Sequence, residues 1–155
     1  MLARLQKAQE EHEEGFTLIE LLVVIIIIGI LAAIAIPVFL SQRQKGYDAG
    51  IKSDLRNAAT AEESYLTDSD HYFAGDITQG SAPLSDEGMK FSSEKDYDTT
   101  WTQKITASFV DTDGATTTAD NEGYCLIATS ASGHVFAYNS SKGGLQPGTN
   151  GTCPS

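Results

Sequence analysis

From Phe16 to Leu40 the chain carries one ionisable side chain, Glu20, in an otherwise apolar run of 25 residues. As a helix rising 1.5 Å per residue, such a run spans about 37 Å, enough to cross the hydrocarbon core of a bilayer. The core helix of a soluble enzyme is rarely this long or this uniformly apolar. A cleaved secretory signal is the stronger rival, because Ala33-Ile34-Ala35 offers an Ala-x-Ala cut site after an apolar core. Its flank is wrong. Secretory signals place positive charge just before the core, whereas Glu10, Glu11, Glu13 and Glu14 stand here, with Arg4 and Lys7 further back. The run is therefore read as a retained membrane-grade helix near the front of the chain.

Glu20 is the anomaly in that helix. A carboxylate in an apolar segment opposes insertion, so a bare anchor gains nothing from it and the charge calls for a partner. A cut between Gly15 and Phe16 would create an α-amino group four residues before Glu20, one helical turn away, at the positive end of the helix dipole. Glu20 can then pair with its own terminus or with that of a neighbouring helix staggered alongside. The second arrangement registers identical subunits.

Gly15-Phe16-Thr17-Leu18-Ile19-Glu20-Leu21-Leu22-Val23-Val24, with Pro37 and a polar helix after it, resembles the type IV pilin family. The resemblance covers Gly15 to Leu66. It implies that a prepilin peptidase removes residues 1–15 by cutting after Gly15 and N-methylates Phe16. It also implies that Glu20 helps draw a new subunit into a filament, that Phe16 and Leu18 belong to the same assembly segment, and that Pro37 marks the position of the family's helix kink. The implied partners are further copies of the chain, the peptidase, an assembly platform with its motor, and the membrane before assembly. One departure is visible: family leaders commonly end in basic residues, while this one ends His12-Glu13-Glu14-Gly15.

The formal charge is -11, and loss of a leader with two basic and four acidic residues would leave -9. That balance does not suit nonspecific binding to nucleic-acid phosphates, and no direct nucleic-acid contact is expected. Arg43, Lys45, Lys52 and Arg56 cluster just past the apolar run, where solvation or inter-subunit ion pairing comes first and anionic lipid contact second. Counted against Arg4 and Lys7 alone, they would keep the following domain on the cytoplasmic side. The cysteines argue the other way. Cys125 and Cys153 are the only two, and a bridge between them would stabilise the fold by roughly 3–4 kcal/mol in an oxidising exterior. Two buried free thiols remain the alternative reading, although the pair also resembles the bridged C-terminal loop of many pilins.

Residues 41–69 read as the amphipathic half of the helix. Tyr47, Ile51, Leu55, Ala58, Ala59, Glu62, Tyr65 and Leu66 recur at spacings of three and four, with Asp48, Lys52, Asp54, Arg56, Asn57 and Glu63 between them. The helix should end between Leu66 and Ser69. Residues 70–155 then form a globular head. Residues 71–100 read as a loop anchored by Phe73, Ile77, Leu84, Met89 and Phe91, and Lys90 to Ser92 is a candidate edge strand. Three strands follow: one from Trp101 through Phe109, one over Tyr124–Ser130 and one over His134–Asn139. The Gly- and Ser-rich tail reads as a loop fastened back at Cys153. The fold class is thus α+β, a long N-terminal helix packed on a small antiparallel sheet.

Candidate chemistry in the head is sparse. Asp111, Asp113 and Glu122 occupy positions one, three and twelve of a calcium-loop template, but Ala115 replaces the fifth ligand and Thr116 the glycine. A hairpin loop is the preferred reading, and no cofactor or metal is expected. His71 and His134 stand in no recognisable nucleophile or metal spacing and read as structural or solvated. Asn139-Ser140-Ser141 and Asn150-Gly151-Thr152 fit the glycosylation sequon. The resulting expectation is a non-enzymatic pilus subunit, membrane-held at first and then part of a cell-surface filament serving adhesion, motility or DNA uptake. A type II secretion pseudopilin or a minor pilin is the alternative within the family. A membrane-anchored extracellular binding module is the alternative outside it.

Overall fold

The computed structural model describes residues 15–78, 80, 83–92, 104–111, 117, 118, 122–146, 152 and 153. One helix, α1 (Leu18–Ser69), is followed by five strands: β1 (Gly75–Thr78), β2 (Lys104–Phe109), β3 (Tyr124–Thr129), β4 (Val135–Asn139) and β5 (Gly144–Gln146). They form one antiparallel sheet in the order β1-β2-β3-β4-β5. The expected α+β architecture is present. The chain divides into two compact units, one ending at Ser41 and the other starting at Gln42.

In the first unit α1 holds Val23, Val24 and the consecutive isoleucines Ile25 to Ile28, a β-branched run that disfavours helix in water. In lipid the choice reverses, because an unpaired peptide group has no water to bond and a helix satisfies every one internally. Pro37 lies inside α1 without ending it. Its missing N–H and its ring remove one bond of the helical ladder, leaving a locally weakened turn. The C-terminus of α1 is sharp. Asp70 adopts φ of 59° and its N–H bonds the Leu66 carbonyl at 2.8 Å, an αL cap that satisfies one of the last orphan carbonyls.

The core belongs to the second unit. Ile51, Leu55, Ala58, Ala59 and Ala61 of α1 pack with Ile77, Ile105, Ala107, Tyr124, Leu126 and Ala128 of the sheet, and with Leu84, Met89 and Phe91 from the connection. The alanines let the sheet come close, so that the Tyr124 hydroxyl reaches the Ala59 carbonyl at 3.1 Å. Alternation along β3 splits its side chains between two faces. Tyr124, Leu126 and Ala128 join the helix side, while Cys125 packs on the other face with Val110, Ala137 and half-buried Ile127 and Cys153.

Four expectations need correction. The segment read as a loop over 71–100 contains β1, whose Ile77 pairs with Ile105 of β2. Only four residues long and interrupted by Asp76, it lacks the alternating run that marks a strand in sequence. Lys90 to Ser92 is not an edge strand; it is a turn exit held by α1. The Gly-rich tail supplies β5, which gains its order by pairing Gly144, Leu145 and Gln146 with β4. Asp54, placed on the polar face, is fully buried. The part of the predicted first strand around Trp101 lies outside the described residues.

Candidate functional site

The N-terminal segment is built by a local hydrogen-bond device. Gly15, Phe16 and Thr17 precede the helix and are exposed, and Thr17 occupies the N-cap position. Its side-chain oxygen accepts the Glu20 N–H at 3.3 Å, while its own N–H and hydroxyl donate to Glu20 Oε2 at 2.9 and 2.7 Å. This is a reciprocal capping box, in which two otherwise orphaned helix donors are satisfied at once. The signal that reveals it, Thr-x-x-Glu before an apolar run, is legible in the sequence. Glu20 thus has a partner within its own first turn as well as any that a chain terminus could supply. Both members of the box lie after Gly15, so a cut there leaves it intact.

Beyond the box, all eighteen large apolar side chains from Phe16 to Leu40 are exposed, Phe16 at 90 % and Leu18 at 81 %. The segment is long and apolar enough to cross a membrane, and no described residue buries it. At roughly 25 cal/mol per Å² of apolar surface, leaving such a patch in water would be strongly unfavourable. Lipid or other helices must therefore cover it. Gly29, whose absent side chain meets nothing within 4 Å, leaves a notch in that surface.

Among its described residues the head contributes no comparable constellation. Cys125 and Cys153 are joined by a disulfide with Cα atoms 6.1 Å apart, which staples the tail beneath the sheet face opposite α1. Among the described residues no three His, Cys, Asp or Glu side chains gather to hold a metal. Of the weak calcium candidates, Asp111 follows β2 with its carbonyl accepting the Ser141 hydroxyl at 2.8 Å, Glu122 is exposed before β3, and Asp113 lies outside the described residues. Asn139 of the first sequon is fully buried, its side-chain oxygen accepting the N–H groups of Ser141 and Lys142, so it serves the β4–β5 turn rather than a glycan.

His134 has a partner that sequence spacing concealed, since 86 residues separate it from Asp48. Its Nδ1 lies 2.8 Å from Asp48 Oδ2, and the Ser132 hydroxyl donates to the other carboxylate oxygen. Burial raises the Asp48 carboxyl, but the hydrogen bonds from Ser132, His134 and Ser130 outweigh it and hold the group below the ordinary aspartate range. Ser132 and His134 both spend their polar atoms on one carboxylate. That geometry latches the β3–β4 turn to α1.

Comparison with known proteins singles out the same N-terminal segment. Residues 12–36 match the prokaryotic N-terminal methylation motif. The chain is 35% identical over 133 residues to the type IV wide pilus major component of Thermus thermophilus, covering 85% of this chain and 86% of that one. It is 46% identical over 74 residues to the type IV major pilin of Myxococcus xanthus, covering 46% of this chain and 33% of that protein's length. Over 64 residues it is 38% identical to the type II secretion system core protein G of Pseudomonas aeruginosa, covering 41% of this chain and 45% of that one. The chain belongs to the type IV pilin family.

Proposed function

We propose that the chain is a structural subunit of a type IV pilus, made as a precursor, cut after Gly15, methylated on Phe16 and polymerised through its N-terminal helix. The observation that carries this reading is the wholly exposed apolar segment behind an intact capping box, in a chain similar over 85% of its length to a major pilus component. Before assembly, lipid covers that segment and Thr17 satisfies one oxygen of Glu20. The cut converts the Phe16 amide nitrogen into an amine. In the filament, neighbouring helices replace lipid, and Glu20 of an incoming subunit pairs with the Phe16 amine of its neighbour, where low dielectric strengthens the attraction. Leu18 and its neighbours supply packing, and the weakened turn at Pro37 accommodates local unwinding. A peptidase and an assembly platform with its motor are the partners, and the location passes from the membrane to the cell surface.

Mass spectrometry of filaments sheared from cells tests this. Subunits should begin at Phe16 with one methyl group, and Gly15→Val should block the cut, because a branched side chain crowds the backbone that the peptidase must approach. Chains starting at Met1 or after Ala35 would overturn the reading. A type II secretion pseudopilin is the second reading, favoured by the 64-residue match to core protein G. It predicts that deletion of the gene abolishes protein export while leaving surface pili in place.

A further inference from the structure

Two carboxylates are buried on one face of α1: Glu62 holds the connection from α1 to β1 at Phe73, and Asp54 holds the connection from β1 to β2 at Ser92. Asp54 is fully engaged: its two oxygens accept the Ser92 N–H at 2.6 Å and the Ser92 hydroxyl at 3.1 Å. Glu62 is not. Its Oε2 accepts the Phe73 N–H at 2.9 Å, but Oε1 is buried with no hydrogen-bond partner among the described residues. An ionised carboxylate has about four acceptor sites to satisfy, and leaving one oxygen dry is costly.

The surroundings give that oxygen no relief. On the same helix Glu63 adds a like charge, and Asp54 lies two turns away. From the connection, the Tyr72 hydroxyl points to Glu63 Oε2 at 3.5 Å, and His71 spends Nδ1 on the Ser69 carbonyl at 2.7 Å with Nε2 3.5 Å from the Tyr65 hydroxyl. From β3, the Tyr124 hydroxyl donates to Ala59. No lysine or arginine forms an ion pair with Glu62 among the described residues.

We propose that Glu62 is a proton-gated clasp: protonated, it holds the 70–74 segment and the edge strand β1 against α1, and ionised, it draws water to Oε1 and releases them. The gate acts on β1 because Phe73, the bonded residue, lies two positions before that strand, and among the described strands β1 pairs on one side only, with β2. A released β1 uncovers the free edge of β2, which is a surface competent for strand pairing. Burial, reinforced by Glu63 and only partly offset by the Phe73 N–H, pushes the Glu62 carboxyl from its ordinary 4.5 up to about 7. The docked segment thus binds a proton that the released segment gives up to solvent. Docking is strongest at pH below 4.5, weakens as pH rises from there, and reaches its full loss above 7.

Amide hydrogen exchange on the full chain in detergent micelles, corrected for the intrinsic pH dependence of exchange, reads the clasp directly. Between pH 5.5 and 8.5 the protection of Phe73 and of β1 should fall about thirtyfold, the factor that linkage gives for a group moving from 4.5 to 7. In Glu62→Gln, which cannot ionise, protection should be independent of pH over that range. Equal pH dependence in wild type and Glu62→Gln, or none in wild type, would overturn the proposal. Should the variant fail to fold, the side-chain carboxyl carbon of Glu62 titrated by NMR in the wild-type chain decides it: a midpoint near 7 supports the clasp and one below 5 removes it.

Discussion

Residues 18–40 and 51–66 belong to the same helix and obey the same backbone rules, yet their burial is opposite. In the first stretch every large apolar side chain is exposed; in the second Ile51, Leu55, Ala58, Ala59 and Ala61 are sealed against the sheet, together with Asp54 and Glu62. Hydrophobicity alone does not tell a helix what it will pack on. The apolar stretch is uniform around its circumference, so no face is singled out for one partner, as the proposed exchange of lipid for neighbouring helices requires. The other stretch is two-sided, so it accepts one partner, and small residues at its centre set how near that partner comes.

The contrast is broken most sharply at Glu20. Replacing it by Ala removes the only charge of the apolar stretch together with half of the capping box, so insertion should be as good or better while filaments disappear. Glu20→Gln separates the two roles. It preserves the reciprocal cap but not the charge, and electron microscopy of surface filaments should find few or none. Normal filaments from Glu20→Gln would mean that helix capping, and not pairing with the Phe16 amine, is what assembly requires.

A paired truncation tests whether the two stretches differ as claimed. Leu55→Ala should cost about 2–5 kcal/mol in unfolding of the detergent-solubilised chain, because it opens a cavity in a closed core. Ile27→Ala, made on a side chain that is 52 % exposed, should leave unfolding nearly unchanged and affect only assembly. Comparable losses from both would show that the first stretch packs within its own chain.

The staple comes next. Cys153→Ser should lower head stability by roughly 2–5 kcal/mol, since it frees the tail and uncovers Val110, Cys125 and Ala137 on the second sheet face. Thermal melts with and without reductant check this, and an unchanged melt would assign that face to other cover. The smallest effect belongs to the latch. Asp48→Asn should cost less than about 1 kcal/mol, in keeping with a partly solvated pair. Because the Asp48 carboxyl is held below its ordinary range, its contribution is present above the ordinary aspartate value near 3.8 and is lost as pH falls below it. Acid unfolding of the two chains should therefore converge at low pH.

The sheet shows why legibility was uneven. Tyr124–Ser130 and His134–Asn139 are short, mostly apolar runs rich in aromatic and β-branched residues around the turn Ala131-Ser132-Gly133, and they match the observed β3 and β4 within a residue. β1 and β5 are short, rich in Gly and polar residues, and exist only because β2 and β4 offer them hydrogen bonds, which no local pattern records. Buried Asp54 was misplaced for a similar reason: its periodicity is that of the core face, but an aspartate is assigned to solvent until Ser92 is known to arrive 38 residues later and bond both its oxygens.

Residue type and spacing suffice for the membrane-grade length of the first stretch, the Gly15-Phe16 junction with Glu20 one turn on, the amphipathic face from Ile51 to Leu66 and the presence of two cysteines. These are local or periodic properties, fixed by residue type and spacing along one chain segment. Tertiary structure alone decided that the cysteines join across a second sheet face, that His134 meets Asp48, and that Glu62 keeps one oxygen dry against the Phe73 segment. Each of those depends on which distant groups arrive at a site and how much water they exclude, and solvation of a given side chain is not written in its neighbours along the chain.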